Sequence, residues 1–260
     1  MDELRCGFAL LADMSLGKGA ARLHFVASTA STNADLLQSI AEGTPPLEGD
    51  WLIADRQTAG RGRQGRNWYD GTGNFMGSTA FRLTPSDPAP ATLSLTAGLA
   101  LMEAVLPLVP PLPGPRLKWP NDLLIGDAKV AGILLERAGD WIVMGFGVNL
   151  ATAPQLTDRE TAALSRFGPA PDRDTFASSL AYHVEAEICR WRTYGLDPVL
   201  RRWTASAHPI GTLLQIRPPG EPAIAGQFAG LAADGSLHLR LEDATLRTVT
   251  AGDVMLVERG

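Results

Sequence analysis

A short run of alternating glycine and arginine is the segment of this chain whose residue types most clearly suggest chemistry. Between Arg56 and Trp68 the sequence contains four arginines, three glycines and no carboxylate. Glycine lets a backbone approach a ligand closely and expose its N–H groups. Guanidinium groups add forked donors for carboxylate or phosphate. This composition predicts a loop that encloses a small anion.

The sequence on either side indicates an ordered loop between two strands. Trp51–Ala54 before the run and Phe75–Phe81 after it are apolar, whereas disordered Gly/Arg segments that bind RNA usually lie in long low-complexity tracts. The run is not a Walker phosphate loop, because none of its glycines is followed by Lys-Ser or Lys-Thr. Taken alone, it is as compatible with a solvated charge cluster as with a ligand site.

A second segment, Lys118-Trp119-Pro120-Asn121-Asp122, combines aromatic, amide and charged side chains. The proline biases the tryptophan before it towards extended geometry, and Asn-Asp is typical of turns. We therefore expect strands over 116–119 and 123–125, which meet at a corner that presents Asn121 and Asp122 to a ligand.

Lys129 begins the next apolar segment, 130–135, whose partly β-branched composition suits a buried strand. By itself, a lysine at this position is best explained as an edge residue that extends its ammonium group to solvent. The alternative is a charge directed into a site, and the neighbouring motifs decide between the two.

Together, five segments in this order and spacing resemble the biotin–protein ligases (biotin holocarboxylase synthetases): Ser31-Thr32-Asn33, Gln57–Arg66, Lys118–Asp122, Lys129–Leu134 and Gly145–Asn149. The resemblance covers the chain from about Ser28 to the C-terminus. It implies that biotin is activated by ATP as biotinyl-5′-AMP and then transferred to a lysine of a carrier domain, such as that of acetyl-CoA carboxylase. Biotin and ATP are the implied substrates, and Mg²⁺ is expected to shield the triphosphate.

The resemblance also implies roles for the matched residues. The implied biotin contacts are Ser31, Thr32, Asn33, Gln57, Arg61, Gly62, Arg63, Trp68, Lys129 and Gly132. The implied ATP and adenylate contacts are Arg61, Arg63, Arg66, Asn121, Asp122, Lys129 and Asn149.

Lys129 is the expected central catalytic residue, with Arg61 and Arg63 from the loop. Its ammonium group would offset the repulsion between the biotin carboxylate and the α-phosphate and stabilise charge in the transition state. Asp122 suits a metal ion bound to the phosphates, but it could equally fix Lys129 or a ribose.

The elements that must position these residues predict an α+β fold with one mixed or antiparallel sheet flanked by helices. Thr32 is expected to cap the first helix, with Asp35 completing a capping box. The other expected helices are 93–106 and 175–194, and the expected strands are 23–26, 51–55, 74–83, 116–119, 123–125, 130–135 and 141–148. Residues 1 to about 22 are left without an assigned structure.

Near His208-Pro209 the pattern changes to short alternating segments separated by turn residues. Asp234-Gly235 between two apolar segments predicts a hairpin. We therefore expect a catalytic domain over 1–208 and a small β-barrel over 209–260. The family's C-terminal domain is of this kind and resembles a Src-homology-3 barrel.

Composition limits the classes of partner. Of the 260 residues 45% are hydrophobic, as in ordinary globular proteins, and the formal net charge of −5 argues against nucleic acid or a membrane surface as the main partner. Two cysteines occur without metal-ligand spacing, and the four histidines lie outside the motifs. No segment is expected to approach a membrane span, and Asp2 and Glu3 do not suit a signal peptide.

These observations predict a cytoplasmic protein that is either a monomer or a homodimer. Some members of the family carry an N-terminal helix-turn-helix domain that represses biotin synthesis. Only thirty residues precede Ser31, so we expect the ligase without the repressor.

Three alternatives remain at this point. A lipoate–protein ligase shares the core fold and the adenylate strategy, but its pocket must accept an aliphatic tail instead of a ureido ring. A biotin- or adenylate-binding sensor without catalysis would be expected to lack Lys129. Nucleic-acid binding through the arginine run is disfavoured by the net charge.

Overall fold

The computed structural model describes residues 21–112 and 114–257. Most of the N-terminal segment without an assigned structure lies outside this range. In the described residues the helices are α1 (Thr32–Ala41), α2 (Leu93–Val105), α3 (Arg173–Tyr194) and α4 (Asp197–Ser206). The strands are β1 (Leu23–Val26), β2 (Trp51–Ala54), β3 (Phe75–Arg82), β4 (Pro115–Lys118), β5 (Asp122–Ile125), β6 (Ala128–Ala138), β7 (Trp141–Val148), β8 (Leu213–Arg217), β9 (Ile224–Leu231), β10 (Leu237–Arg240), β11 (Leu246–Val249) and β12 (Asp253–Leu256).

Strands β1 to β7 form a mixed sheet in the order β1-β2-β3-β7-β6-β5-β4. The β1–β2 pair is parallel and the remaining pairs are antiparallel. The pairing register brings Asp122, Gly132 and Gly147 into one row, since Asp122 faces Gly132 on β6 and Gly132 faces Gly147 on β7. Segments that are distant in sequence are therefore adjacent on the sheet.

The core of this part of the molecule is built around α2, which is buried on nearly all sides and packs against α3, α4 and the sheet. A surrounding apolar environment permits an almost wholly apolar helix. The stretch Pro90–Leu108 consequently has the length and the mean hydropathy, 1.6, of a membrane span, although 67% of it is buried inside the protein. The sequence analysis did not foresee a segment of this length and hydropathy, and its burial identifies it as the core helix.

Helix α1 begins differently from the prediction. The capping residue is Ser31, whose backbone is extended and whose Oγ accepts a hydrogen bond from the N–H of Ala34 at 3.5 Å. The prediction that Thr32 is the cap is wrong. Thr32 is the first helical residue, and its backbone N–H and hydroxyl are both used in contacts with Gln57.

Strands β8 to β12 form an antiparallel sheet in the order β11-β10-β9-β8-β12, which gives the small C-terminal barrel. The predicted hairpin joins β9 to β10, and Gly235 in its turn has a φ of +85°. Such a left-handed backbone favours glycine. The α+β prediction with a C-terminal β module is confirmed.

The two sheets share one hydrophobic core. Leu214, Leu237 and Val254 from the second sheet belong to the same buried cluster as Trp119 and Trp203. In addition, the indole Nε1 of Trp119 donates a hydrogen bond to the carbonyl oxygen of Gly235 at 3.2 Å. The second sheet is therefore packed against the corner between β4 and β5. The domain boundary after residue 208 stays a prediction.

Candidate active site

A cleft with a volume of about 700 Å³ lies between the mixed sheet, the arginine loop and the start of β12. All the site residues named from the sequence line it: Ser31, Thr32, Asn33, Gln57, Arg61, Gly62, Arg63, Arg66, Trp68, Asn121, Asp122, Lys129, Gly132 and Asn149. The five segments thus converge on one place, while the individual roles of these residues stay predictions.

Two glycines of β7 make room for the side chains that form the wall of the cleft. A Cβ atom on Gly147 would lie 2.2 Å from the indole ring of Trp68, and one on Gly145 would lie 2.2 Å from Oδ1 of Asn33. Real Cβ atoms do not approach other atoms this closely, so any side chain at either position would displace its neighbour. The glycines of this segment therefore set the positions of Trp68 and Asn33.

A chain of hydrogen bonds links polar side chains at one end of the cleft. Oε1 of Gln57 accepts from the N–H of Thr32 at 2.8 Å, and the hydroxyl groups of Thr32 and Ser78 are 2.6 Å apart. Ser78 then donates to Oδ1 of Asn33 at 2.6 Å, and Nδ2 of Asn33 donates to Glu136 at 2.8 Å. Buried polar groups that are bonded to each other in this way hold fixed orientations.

Asp122 lies at the centre of a group of cations. Its Oδ1 accepts a hydrogen bond from Nζ of Lys129 at 2.5 Å, and its Oδ2 lies 3.7 Å from Nζ of Lys118. Burial acts to raise the pKa of Asp122, but Lys129 and Lys118 outweigh this and hold the pKa below its usual value. Asp122 is therefore ionised at neutral pH, and of the roles left open for it, the structure supports fixing Lys129.

The positive charge in this region exceeds the negative charge. Burial lowers the pKa of Lys118, and the neighbouring charges of Lys129 and Arg159 lower it further, against the opposing effect of Asp122. Nε of Arg159 is buried without a hydrogen-bond partner in the described part of the chain. A bound anion would relieve this repulsion, so the centre of the cleft suits a polyanionic ligand.

Two further polar atoms of residues that line the cleft are buried without a hydrogen-bond partner among the described residues. They are Nε1 of Trp68, which is a donor, and Oδ1 of Asn149, which is an acceptor. The Nδ2 of Asn149 donates to the carbonyl oxygen of Ala162 at 3.2 Å, which fixes the orientation of the amide. Because buried polar atoms are nearly always bonded, both atoms are candidates for ligand contacts.

Asn121 differs from Asn149 in that both ends of its amide are already bonded. Its Nδ2 donates to the carbonyl oxygen of Ile133 at 2.6 Å, and its Oδ1 accepts from Arg63 at 3.2 Å. These contacts join the β4–β5 corner to β6 and to the arginine loop. An adenine contact for Asn121 stays a prediction, while the structure gives this residue a role in positioning Arg63.

The arginine loop is bonded on three sides. Arg61 pairs with Glu136 at 3.4 Å, Arg63 donates to Asn121, and Arg66 forms an ion pair with Asp253 of the second sheet. Burial lowers the pKa of Arg63, although the charges of Asp253 and Asp122 oppose that effect. These contacts attach the loop to both sheets.

A protein site for the expected Mg²⁺ is not formed by the described residues. Within residues 21–112 and 114–257 no three His, Cys, Asp or Glu side chains are grouped so that they could hold a metal ion. Asp122, the one predicted ligand, is bonded to Lys129 and paired with Lys118. A metal ion on the phosphates would need only one or two carboxylates from the protein, so Asp122 as its ligand stays a prediction.

The sequence analysis did not name three residues that line the cleft, Ser78, Arg159 and Asp253, nor Glu136, which is bonded to Asn33. Ser78 and Glu136 lie in strands β3 and β6, whose apolar character gives no signal for a buried polar partner. Arg159 follows β7 in an irregular segment, and Asp253 belongs to the C-terminal module. The one signal in the sequence is that Ser78 and Thr79 are polar residues within the otherwise apolar strand β3.

Comparison with known proteins gives consistent results. Residues 25–149 match the family model described as the biotin/lipoate A/B protein ligase family. The biotin--[acetyl-CoA-carboxylase] ligase of Mycobacterium tuberculosis is 39% identical over 244 residues, which cover 92% of this chain and 90% of that protein.

Solved structures share the fold. The biotin protein ligase of Aquifex aeolicus, solved with biotin and ATP, superposes with a TM-score of 0.79 at 24% identity and covers 92% of this chain and 99% of its own. The Leishmania major biotin protein ligase, solved with biotinyl-5-AMP, gives a TM-score of 0.60 at 26% identity, with coverage of 88% and 99%.

The fold and the cleft define the class of enzymes that join a carboxylic acid to a protein lysine, the biotin and lipoate ligases. Within this class, the identity to the mycobacterial protein over most of both chains is decisive. The chain belongs to the biotin–protein ligase family.

Proposed function

We propose that this cleft converts biotin and ATP to biotinyl-5′-AMP and that the chain then transfers the biotinyl group to a lysine of a biotin carboxyl carrier domain. The observation that carries the proposal is the fixed ammonium group of Lys129. It is bonded to Asp122 and lies 5.8 Å from the centre of the Trp68 ring, in the cleft where all five segments meet.

In the first step a carboxylate oxygen of biotin attacks the α-phosphorus of ATP, and the bond to the bridging oxygen breaks so that pyrophosphate leaves. Two anions must approach each other, and negative charge accumulates on the phosphoryl oxygens. Lys129 is held by Asp122 before the substrates arrive, so its charge stabilises the transition state without reorganisation. Lys118 and Arg159 add positive charge beside it.

In the second step the neutral amine of the carrier lysine attacks the acyl carbon of the mixed anhydride. The bond between this carbon and the phosphate oxygen breaks, AMP leaves, the attacking nitrogen loses a proton to solvent, and the amide forms. The intermediate must be kept from water until the carrier arrives. The arginine loop, which is bonded to Asn121 and Asp253, is the part of the chain placed to do so.

The polar chain from Gln57 to Glu136 supports biotin rather than an aliphatic acyl acid as the substrate. A ureido ring presents both N–H donors and a carbonyl acceptor, which hydroxyl and amide side chains can bond. These groups are already bonded to each other, but their hydroxyl and amide groups have further hydrogen-bonding capacity, which a ureido ring can use and an aliphatic tail cannot. The network of Thr32, Ser78 and Asn33 therefore selects against lipoate.

The relatives are consistent with this proposal. The similar protein of M. tuberculosis is named a biotin--[acetyl-CoA-carboxylase] ligase, and the similar L. major structure contains biotinyl-5-AMP. For this chain we propose the same class of carrier and, following the sequence expectation, action in the cytoplasm.

Transfer to a carrier is tested by incubating the protein with ATP, biotin and a purified biotin carboxyl carrier domain. Mass spectrometry should find one biotinyl group on one lysine of the carrier. A carrier whose acceptor lysine is replaced by arginine is the control and should stay unmodified. If the carrier is modified with lipoate but not with biotin, the proposed substrate is wrong.

A further inference from the structure

We infer that Asp253, the first residue of β12 in the second sheet, is a positioning residue that holds the arginine loop over the cleft. This inference rests on the proposed function and deepens it. Asp253 is itself not a ligand contact in this account. It acts through Arg66, which lines the same cleft.

Two contacts join the loop to the start of β12. The guanidinium group of Arg66 forms an ion pair with Oδ2 of Asp253, and Nη2 of Arg63 lies 3.5 Å from the carbonyl oxygen of Gly252. The Asp253 side chain is 28% exposed and that of Arg66 is 46% exposed, so solvent screens the pair only in part. These contacts join residues that are 187 or more positions apart in the sequence.

The anchor is rigid, because the turn before β12 is packed tightly on β8. A Cβ atom on Gly252 would lie 2.9 Å from Cγ2 of Ile216 and 3.1 Å from the carbonyl oxygen of Arg217. Asp253 then pairs with Arg217 in the sheet. The backbone that carries Asp253 therefore has little freedom to follow a moving loop.

The loop, in contrast, is the adaptable partner. It contains Gly60, Gly62 and Gly65, and Gln64 has a left-handed φ of 56°. Glycine-rich segments lose much conformational entropy when they are ordered. The ion pair between Arg66 and Asp253 offsets part of this entropy loss. Binding of the ligand therefore has to order the loop less.

We therefore expect Asp253→Asn to increase the population of open loop about two- to fivefold, the range for loss of a partly exposed ion pair. Adenylate should be released faster by the same factor, while the rate of adenylate formation at saturating ATP and biotin changes little. Asp253→Glu keeps the charge and should restore most of the parent behaviour.

Trypsin gives a measurement that does not depend on activity, because it cleaves after arginine and the loop contains Arg61, Arg63 and Arg66. Cleavage within the loop, followed by mass spectrometry, should be about two- to fivefold faster in Asp253→Asn than in the parent. Glu242→Gln, at an exposed position of the same module, is the matched control and should match the parent. Thermal unfolding of each variant excludes global destabilisation.

A double variant completes the test. If Asp253 acts through Arg66, then Asp253→Asn combined with Arg66→Gln should release adenylate no faster than Arg66→Gln alone. Equal loop cleavage in Asp253→Asn and the parent, or additive effects in the double variant, would overturn the inference. If the parent forms no adenylate, the proposed function fails, whereas faster tryptic cleavage of the Asp253→Asn loop still supports the contact.

Discussion

The ammonium nitrogen of Lys129 lies 2.5 Å from Oδ1 of Asp122, whose side chain is only 13% exposed. The register of β5 and β6 brings the two residues together, since Asp122 is paired with Gly132 and Leu124 is paired with Lys129. A lysine side chain has four rotatable bonds, and this contact restricts them before any substrate binds. The pair therefore presents a positive charge whose position is fixed.

Lys129→Met should lower the rate of adenylate formation by at least about 100-fold, the scale for removing one group that stabilises transition-state charge. Biotin affinity should change less, because the lysine is expected to act where the carboxylate and the α-phosphate meet. Pyrophosphate exchange and isothermal titration with biotin measure the two quantities separately. Because the variant leaves Asp122 with Lys118 as its nearest remaining cation, its thermal stability must be measured in parallel. If pyrophosphate exchange in the variant is close to that of the parent, Lys129 is an ordinary strand lysine without a catalytic role.

Gly147→Ala should displace Trp68 from the cleft, because the added Cβ would lie 2.2 Å from its ring. Overpacking of this kind costs about 1–3 kcal/mol of stability, and biotin affinity should fall with it. Gly168→Ala is the matched control, since its nearest neighbour would be at an ordinary 3.6 Å. Tryptophan fluorescence and biotin titration of both variants check the prediction, which fails if the two variants behave alike.

Arg63→Gly should weaken the hold on the adenylate. The substitution removes a donor to Asn121 and to the Gly252 carbonyl, for which about 1.5–3 kcal/mol is typical. It also adds backbone freedom worth about 0.5–1 kcal/mol. The sum corresponds to roughly a 30- to 900-fold faster loss of the intermediate. The assay measures the free adenylate in a filtrate of the reaction mixture and the biotin attached to albumin that is added as a bystander protein.

Arg63→Ala separates the two contributions, because it removes the guanidinium group without adding a glycine. We expect it to release less adenylate than Arg63→Gly, by the factor due to backbone freedom. If neither variant releases adenylate while both remain active, the loop is not the barrier to water.

Stability should fall in mild acid because of His208, which lines a small cavity between the two sheets. Burial lowers its pKa to about 4 from 6.5; nearby Arg116 and Lys118 also lower it, while Asp127 opposes them. Between these values the unfolded chain binds more protons than the folded chain, so stability decreases as the pH falls from 6.5 to 4. The free energy of unfolding, measured with denaturant at several pH values across this window, should depend less steeply on pH in His208→Gln than in the parent. An unchanged pH dependence of the unfolding free energy in His208→Gln would contradict the assignment.

The features predicted well from sequence are those specified locally. The corner between β4 and β5 follows from the turn chemistry of Asn121-Asp122, and the β9–β10 hairpin follows from Asp234-Gly235. The convergence of the five segments came from the family resemblance, because no local rule predicts the register that places Asp122 beside Gly132.

The features missed are those decided by distant partners. Ser31 and Thr32 are both good capping residues, and Ser31 is the cap because Gln57 and Ser78 use the Thr32 hydroxyl. The contact between Asn33 and Glu136 joins residues 103 positions apart. Such pairs depend on tertiary packing, which the local pattern does not contain.

The most direct test of the account is exchange of labelled pyrophosphate into ATP, measured with biotin, with lipoate or octanoate, and with no acid. We expect exchange that depends on biotin, because the polar chain and the Lys129–Asp122 pair are arranged for that carboxylic acid. No exchange above background is expected in the other two reactions. Exchange with lipoate but not with biotin, or exchange that needs no acid, would contradict the account.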